Sequence, residues 1–322
     1  MSDFIAARVA GVGAALAVAL LSAPARATPL TPARAPTPAL PPAPEALRTA
    51  EDQFDRLTVP VTVDGQGPFP FVVDTGADRT VLSAELAARL KLAPGAPVRL
   101  HEVAGVDLTP TVRVERLEVG ARKIGPLDAP VLGAADLGGL GMLGVDSLQG
   151  RRIVMDFRRR RLSVEPSRRE AYDPAVVVVR ARSRYGQLVL VDASVGRRPI
   201  AVILDSGAQN TIGNPALRDL LGAPRPAAAR PVPGAAPVMV AQVLSVSGAT
   251  TPAEWGVARR VRVGGFSLLD LPIAFADLHT FRQFGLEGTP AMLLGVDVMR
   301  HFRRVTVDFA RREVTFALSD AG

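Results

Sequence analysis

Cysteine is absent from this 322-residue chain. Disulfide cross-links, thiolate nucleophiles and cysteine-held zinc are therefore excluded, and any folded part rests on its core alone. Histidine is almost as scarce: His101, His279 and His301 lie far apart in sequence and none sits in an H-E-x-x-H frame. A metal centre finds no support, no metal or cofactor is expected, and each histidine is read as an ordinary surface or core residue. Aromatic residues make up 5% of the chain, with 2 Tyr and 1 Trp. No aromatic-interleaved basic patch results, so no nucleic-acid partner is expected. The formal charge of +7 rests almost wholly on arginine, since only Lys91 and Lys123 are lysines. It is read as compositional drift, with the Arg runs 158–161 and 303–304 as solvated turns. A serine-nucleophile elbow and a lysine-bearing phosphate loop are missing as well.

Long apolar runs are lacking, with one exception. Residues 9–24, VAGVGAALAVALLSAP, follow Arg8 and precede Ala25-Arg26-Ala27. The run is short for a membrane span and ends in a small-x-small cleavage pattern, so residues 1–27 read as a signal peptide. Asp3 weakens the positive start, and an uncleaved anchor is the alternative. This reading places the mature protein in the periplasm or outside the cell, with no stable membrane insertion after cleavage. Residues 28–49, rich in Pro and Ala, are expected to form a disordered tether.

What the chain does have is 48% hydrophobic residues, 29 Gly and 28 Pro, which suits packed cores with many turns rather than long helices. It also has an internal duplication. LTVPVTVDGQGPFPFVVDTGADRTVLSAELAARL (57–90) is echoed by LVLVDASVGRRPIAVILDSGAQNTIGNPALRDLL (188–221). Each copy reads as a strand, a tight turn, a second strand ending on Asp, then a helix, with Ser83 capping the first helix and Asn214-Pro215 opening the second. Each copy also closes alike, MLGVDSLQGRRIVMDFRRRRLSV (142–164) against LLGVDVMRHFRRVTVDFARREVTF (293–316). The second copy carries extra residues, assigned to the Ala/Pro-rich 222–237 and a loop around Trp255. The expected organisation is all-β: an N-terminal lobe over 50–165, a joint at 166–173, and a C-terminal lobe over 174–322, each a closed or nearly closed barrel.

An aspartate at the tip of a buried strand is costly without partners. Asp74-Thr75-Gly76 and Asp205-Ser206-Gly207 each make this arrangement, each followed by Ala and then Thr. One such triplet arises by chance in roughly one chain of this length in five or ten. Two in a duplicated frame point to a shared site rather than to turn-making aspartates. Two carboxylates held together cannot both ionise easily, and share one proton.

With VVDTGADRTVL followed by MLGVD, the chain resembles the retropepsin-like aspartic proteases. The resemblance spans nearly all of 57–318 and implies two homologous retropepsin-like β-barrel lobes forming a bilobal pseudo-dimer around a central cleft. It implies an aspartic-type endopeptidase acting on a peptide or protein substrate, monomeric because the two lobes pair within one chain. Asp74 and Asp205 would be the catalytic pair, and Thr75, Gly76, Ser206 and Gly207 the bracing residues. Ala77, Asp78, Ala208 and Gln209 would face substrate. So would Ala104 and Gly105, at the tip of a flap read over 99–114, with a second flap over 239–263. Trp255 is a substrate-facing aromatic or a satellite-core residue. Three features depart from the family pattern. Gln209 stands where the first copy has Asp78, and Val-Asp follows Gly144 and Gly295 where viral members carry Arg. The flaps lack tyrosine, since Tyr172 and Tyr185 lie elsewhere. An exported peptide-binding module without catalysis is the rival reading.

Overall fold

The computed structural model describes residues 5–7, 46–48, 50–51, 57–102, 105–222 and 240–318. Most of the leader and tether, nearly all of 222–237, and Ala104 lie outside the described residues.

The duplication seen in sequence is a duplication of topology. In the first lobe Leu57–Val63 and Gln66–Val73 form a hairpin across Asp64-Gly65, both at positive φ (47° and 79°), as a tight primed turn requires. The strand Gln66–Val73 then lies parallel to Gly141–Leu143, which is antiparallel to Val81–Ser83, which is parallel to Leu127–Leu132. The second lobe repeats the scheme. Ala201–Leu204 runs parallel to Ala291–Leu294, this antiparallel to Ile212–Gly213, and this parallel to Phe266–Phe275. In both lobes the chain therefore leaves the aspartate, turns, and returns beside its own strand.

The local signals act as expected. Ser83 Oγ accepts from Leu86 N at 3.0 Å and opens the helix Ala84–Leu90. Asn214 Oδ1 accepts from Leu217 N at 2.8 Å, with Pro215 starting the helix Pro215–Leu221. Both helices bury their leucines, Leu86 and Leu217, against the barrels. Trp255 does not sit in a loop. It lies inside the long strand Thr250–Val263, paired with Ala274 of the neighbouring strand, because alternating apolar residues continue the pleat through it.

The lobes share a sheet. The closing hairpin of the first lobe, Arg151–Asp156 and Arg161–Pro166, pairs with that of the second, Arg304–Asp308 and Glu313–Ala317, through Ile153↔Val307 and Met155↔Val305. All four of these side chains are buried, so burial selects this register, since a one-residue slip would turn them outward. Phe266, Phe302 and Phe316 pack edge-to-face or tilted against one another with centroids 4.9 to 5.1 Å apart, a geometry worth about 0.5–1.5 kcal/mol per pair beyond burial. The joint is tied down by charge. Glu170 meets the buried Arg152 at 2.6 Å and Arg304 at 3.1 Å, one arginine from each lobe.

Candidate active site

The parallel strand pairs put both aspartates at the floor of the groove between the lobes. Asp74 N donates to Leu143 O at 3.0 Å and Asp205 N to Leu294 O at 3.1 Å, fixing each at its strand tip. The chain then turns back under each carboxylate. Asp74 Oδ1 accepts from Gly76 N (2.7 Å) and Ala77 N (3.0 Å), while Asp205 Oδ1 accepts from Gly207 N (3.0 Å) and Ala208 N (3.1 Å).

The glycines bring the two loops into contact. A Cβ placed on Gly76 would lie 2.5 Å from Asp205 Cγ, and one on Gly207 would strike the Asp74 carboxylate. Each carboxyl group thus occupies the space that a side chain on the opposite triplet would fill. Asp205 hydrogen-bonds Asp74, and its pKa is pushed up to about 8, first by burial and then by the negative charge of Asp74. Its own loop amides pull the other way but do not win.

Beneath the pair, Thr75 and Ser206 reach across. Thr75 Oγ1 donates to Leu204 O (3.1 Å) and accepts from Ser206 N (3.1 Å), while Ser206 Oγ donates to Val73 O (2.8 Å) and accepts from Thr75 N (3.0 Å). Both are 2% exposed, so four buried backbone groups depend on two hydroxyls.

A further layer was not foreseen. Asp146 and Asp297, the acids of the two Gly-Val-Asp segments, brace the loops that follow the paired aspartates. Asp146 accepts from Thr80 N (3.0 Å) and Thr80 Oγ1 (2.7 Å), and Asp297 from Thr211 N (2.9 Å) and Thr211 Oγ1 (2.8 Å). The threonine oxygens in turn accept from Gly144 N and Gly295 N, each at 3.2 Å. The signal was available, since both Thr and Asp recur at matching places in both copies.

Above the pair lies a cavity of about 290 Å³ between the lobes. Ala77, Asp78, Ala208 and Gln209 line it. Burial raises the Asp78 carboxyl while Arg79 lowers it. Of the described residues on this hairpin, Glu102 lines the cavity and Gly105 does not; a Cβ placed on Gly105 would meet open space. The roof consists of two hairpins, Pro94–His101 with Val106–Val114 and Val240–Leu244 with Thr250–Val263. They meet over the cleft. Ser245 Oγ donates to Glu102 Oε2 at 2.5 Å, and Val246 packs into the first lobe's Val81, Leu137 and Met142. Trp255 lines the cavity and also packs against a second-lobe cluster that includes Ile212 and Leu293.

Two other inter-lobe contacts were not legible. Gln187 donates to the carbonyl of Gly76. His101 and His279, read from sequence as unrelated, stack at 5.4 Å with Nδ1 and Nε2 only 3.1 Å apart. They lie 178 residues apart, so only the closing of the lobes joins them. No cluster of three metal-ligating side chains occurs among the described residues.

A family model described as aspartyl protease matches residues 59–147 and 191–298, one match in each lobe. No curated protein matches the chain. The two matches cover most of the chain, and each contains one of the paired aspartates at the groove floor: the chain belongs to the retropepsin-like aspartyl protease family, in tandem two-lobed form.

Proposed function

We propose that this protein is an aspartic endopeptidase that hydrolyses peptide bonds with a water molecule activated between Asp74 and Asp205. The observation that carries the reading is the pair itself, two carboxyl groups in contact with one proton favoured between them. The pair shares one proton, placed on Asp205, whose pKa is raised by burial and by Asp74; the protonated member is the acid and the ionised member the base. The ionised Asp74 takes a proton from water as its oxygen adds to the peptide carbon. Asp205 gives its proton to the carbonyl oxygen, forming a neutral tetrahedral diol with no covalent enzyme intermediate. Collapse of the diol passes a proton to the leaving nitrogen and restores the starting pair. The amides of residues 76, 77, 207 and 208 hold one oxygen of each carboxylate, so the geometry is set before substrate arrives. Substrate would lie as an extended strand beneath the two hairpins, which exclude water once closed.

The shared sheet supports a monomer, since the second half-site arrives on the same chain at small entropic cost. The Ala-rich leader supports export to the periplasm or beyond. N-terminal sequencing of the fractionated mature protein tests cleavage after about Ala27. For the chemistry, the parent, Asp74→Asn and Asp205→Asn are assayed against a peptide library across pH. Each variant is expected to keep its fold and lose hydrolysis. Full activity in either variant removes the paired-acid mechanism; an inactive parent under every condition favours a binding module instead.

A further inference from the structure

The two halves of the cleft match in backbone but not in charge. From the first lobe Asp74, Asp78, Glu102 and Asp136 line the cavity, against Arg79 and His101. From the second lobe Asp205 is the sole ionisable side chain among the cavity residues. The positions matching Asp78 and Arg79 are the neutral Gln209 and Asn210, and Gln242 and Gln283 continue the uncharged wall. Arg79 is exposed to solvent, whereas Glu102 is 6% exposed.

Glu102 is the anomaly. A carboxylate taken out of water needs charge-assisted partners, or its desolvation is uncompensated. Its Oε2 has Ser245, but no group among the described residues donates to its Oε1. A second buried acceptor reaches the cavity from the second lobe, at its boundary with the first. Gln187 spends its amide nitrogen on Gly76 O, and no donor among the described residues reaches its Oε1. The first-lobe half, with Asp78, Glu102 and Asp136, and the boundary beside it at Gln187 are therefore supplied with acceptors and short of donors. A guanidinium offers five N–H donors and a fixed positive charge, which is what this set lacks; an ammonium offers three.

We propose that the first-lobe half of the cleft is a subsite for a cationic side chain, Arg or Lys, of the peptide, with Glu102 as its buried counter-charge. The inference rests on reading the cleft as a peptide site. It adds a direction: because the second-lobe half is neutral, substrate binds in one polarity, with its basic residue on one side of the cleaved bond. Ser245, by holding Oε2, keeps the Glu102 carboxylate turned into the cavity.

The test compares peptides carrying Arg, Lys or citrulline, the neutral isostere of Arg, singly at each position around the cleaved bond. In the parent, Arg at one position is expected to raise kcat/KM over citrulline by roughly tenfold or more, as for a charge-assisted hydrogen bond to a buried carboxylate. Glu102→Gln, which keeps an acceptor for Ser245, is expected to bring that ratio close to one. A parent ratio near one at every position, or an unchanged ratio in Glu102→Gln, overturns the subsite and leaves the proteolytic reading standing. Calorimetric binding of the same peptides to the parent separates the two ideas. If nothing is cleaved yet Arg binds better than citrulline and Glu102→Gln abolishes the difference, the subsite holds and proteolysis falls. Equal binding of Arg and citrulline overturns the subsite.

Discussion

Thr75 and Ser206 hold one another across the lobe boundary through four hydrogen bonds of 2.8 to 3.1 Å, each hydroxyl serving one amide and one carbonyl of the opposite strand or loop. Replacing Thr75 by Val keeps the volume and strands Ser206 N and Leu204 O in a buried site. The expected cost is about 1–3 kcal/mol, with a lower melting temperature and a lower kcat, since the two loops lose their alignment. Thr75→Ser restores the hydroxyl and is expected to recover most of both. Thermal unfolding and peptide kinetics on the two variants check this; a Val variant as stable as the Ser variant would remove the brace.

The Asp205 carboxyl titrates at about 8, raised by burial and by Asp74. In the unfolded chain it titrates near 4, so the folded protein binds more protons in between and stability falls as pH rises. This contribution is whole below the ordinary carboxylate range and is spent once pH passes about 8. Hydrolysis that needs the protonated acid follows the same limb and is expected to decline above about pH 8. Melting temperatures from pH 5 to 9 in the parent and in Asp205→Asn measure it. The variant is expected to lose most of the slope; equal slopes would refute the assignment.

Asp146 and Asp297 each accept hydrogen bonds from a threonine amide and hydroxyl and from the next backbone amide. Asp297→Ala is expected to cost about 3 kcal/mol or more, because Thr211 N, Thr211 Oγ1 and Val298 N lose a shared acceptor. Asp146→Ala is expected to behave alike, and Thr211→Val to reproduce part of the loss. Urea unfolding of the three variants decides this. A cost below about 1 kcal/mol for both Ala variants would mean the brace is incidental.

His101 and His279 share a hydrogen bond that requires one neutral ring. Burial, the nearby His101 and Arg282 all lower the pKa of His279. A lowered histidine is deprotonated more readily when folded, so its contribution is present above about pH 6.5 and is lost as pH falls through the lowered value. Acid is therefore expected to loosen the rim between the lobes. Hydrogen exchange in the strands Pro94–His101 and Val106–Val114 at pH 7.5 and 5.0 reads it out. His279→Gln is expected to remove the pH difference; if protection in the parent is the same at both pH values, the pair is not a latch.

Much of the fold was legible because it is written twice. The strand–turn–strand–Asp pattern, the capping Ser83 and Asn214, and the closing Gly-Val-Asp recur in both copies, and repetition separates signal from chance where a lone triplet does not. Gly105 and Trp255 show where that reading stops. Which face of a hairpin tip meets the cleft, and whether an aromatic lies in a strand or a loop, depend on register and on the opposite lobe, not on local pattern.

The sequence by itself determined the two half-sites, since strand propensity, turn chemistry and an acid at each strand tip are local properties carried by neighbouring residues. Only the tertiary structure decided which groups from one half meet the other: Gln187 on Gly76, Glu102 on Ser245, His101 on His279. These contacts arise when the shared sheet brings the lobes face to face. A pairing between residues a hundred or more positions apart is fixed by packing and shape, and leaves no periodicity along the chain.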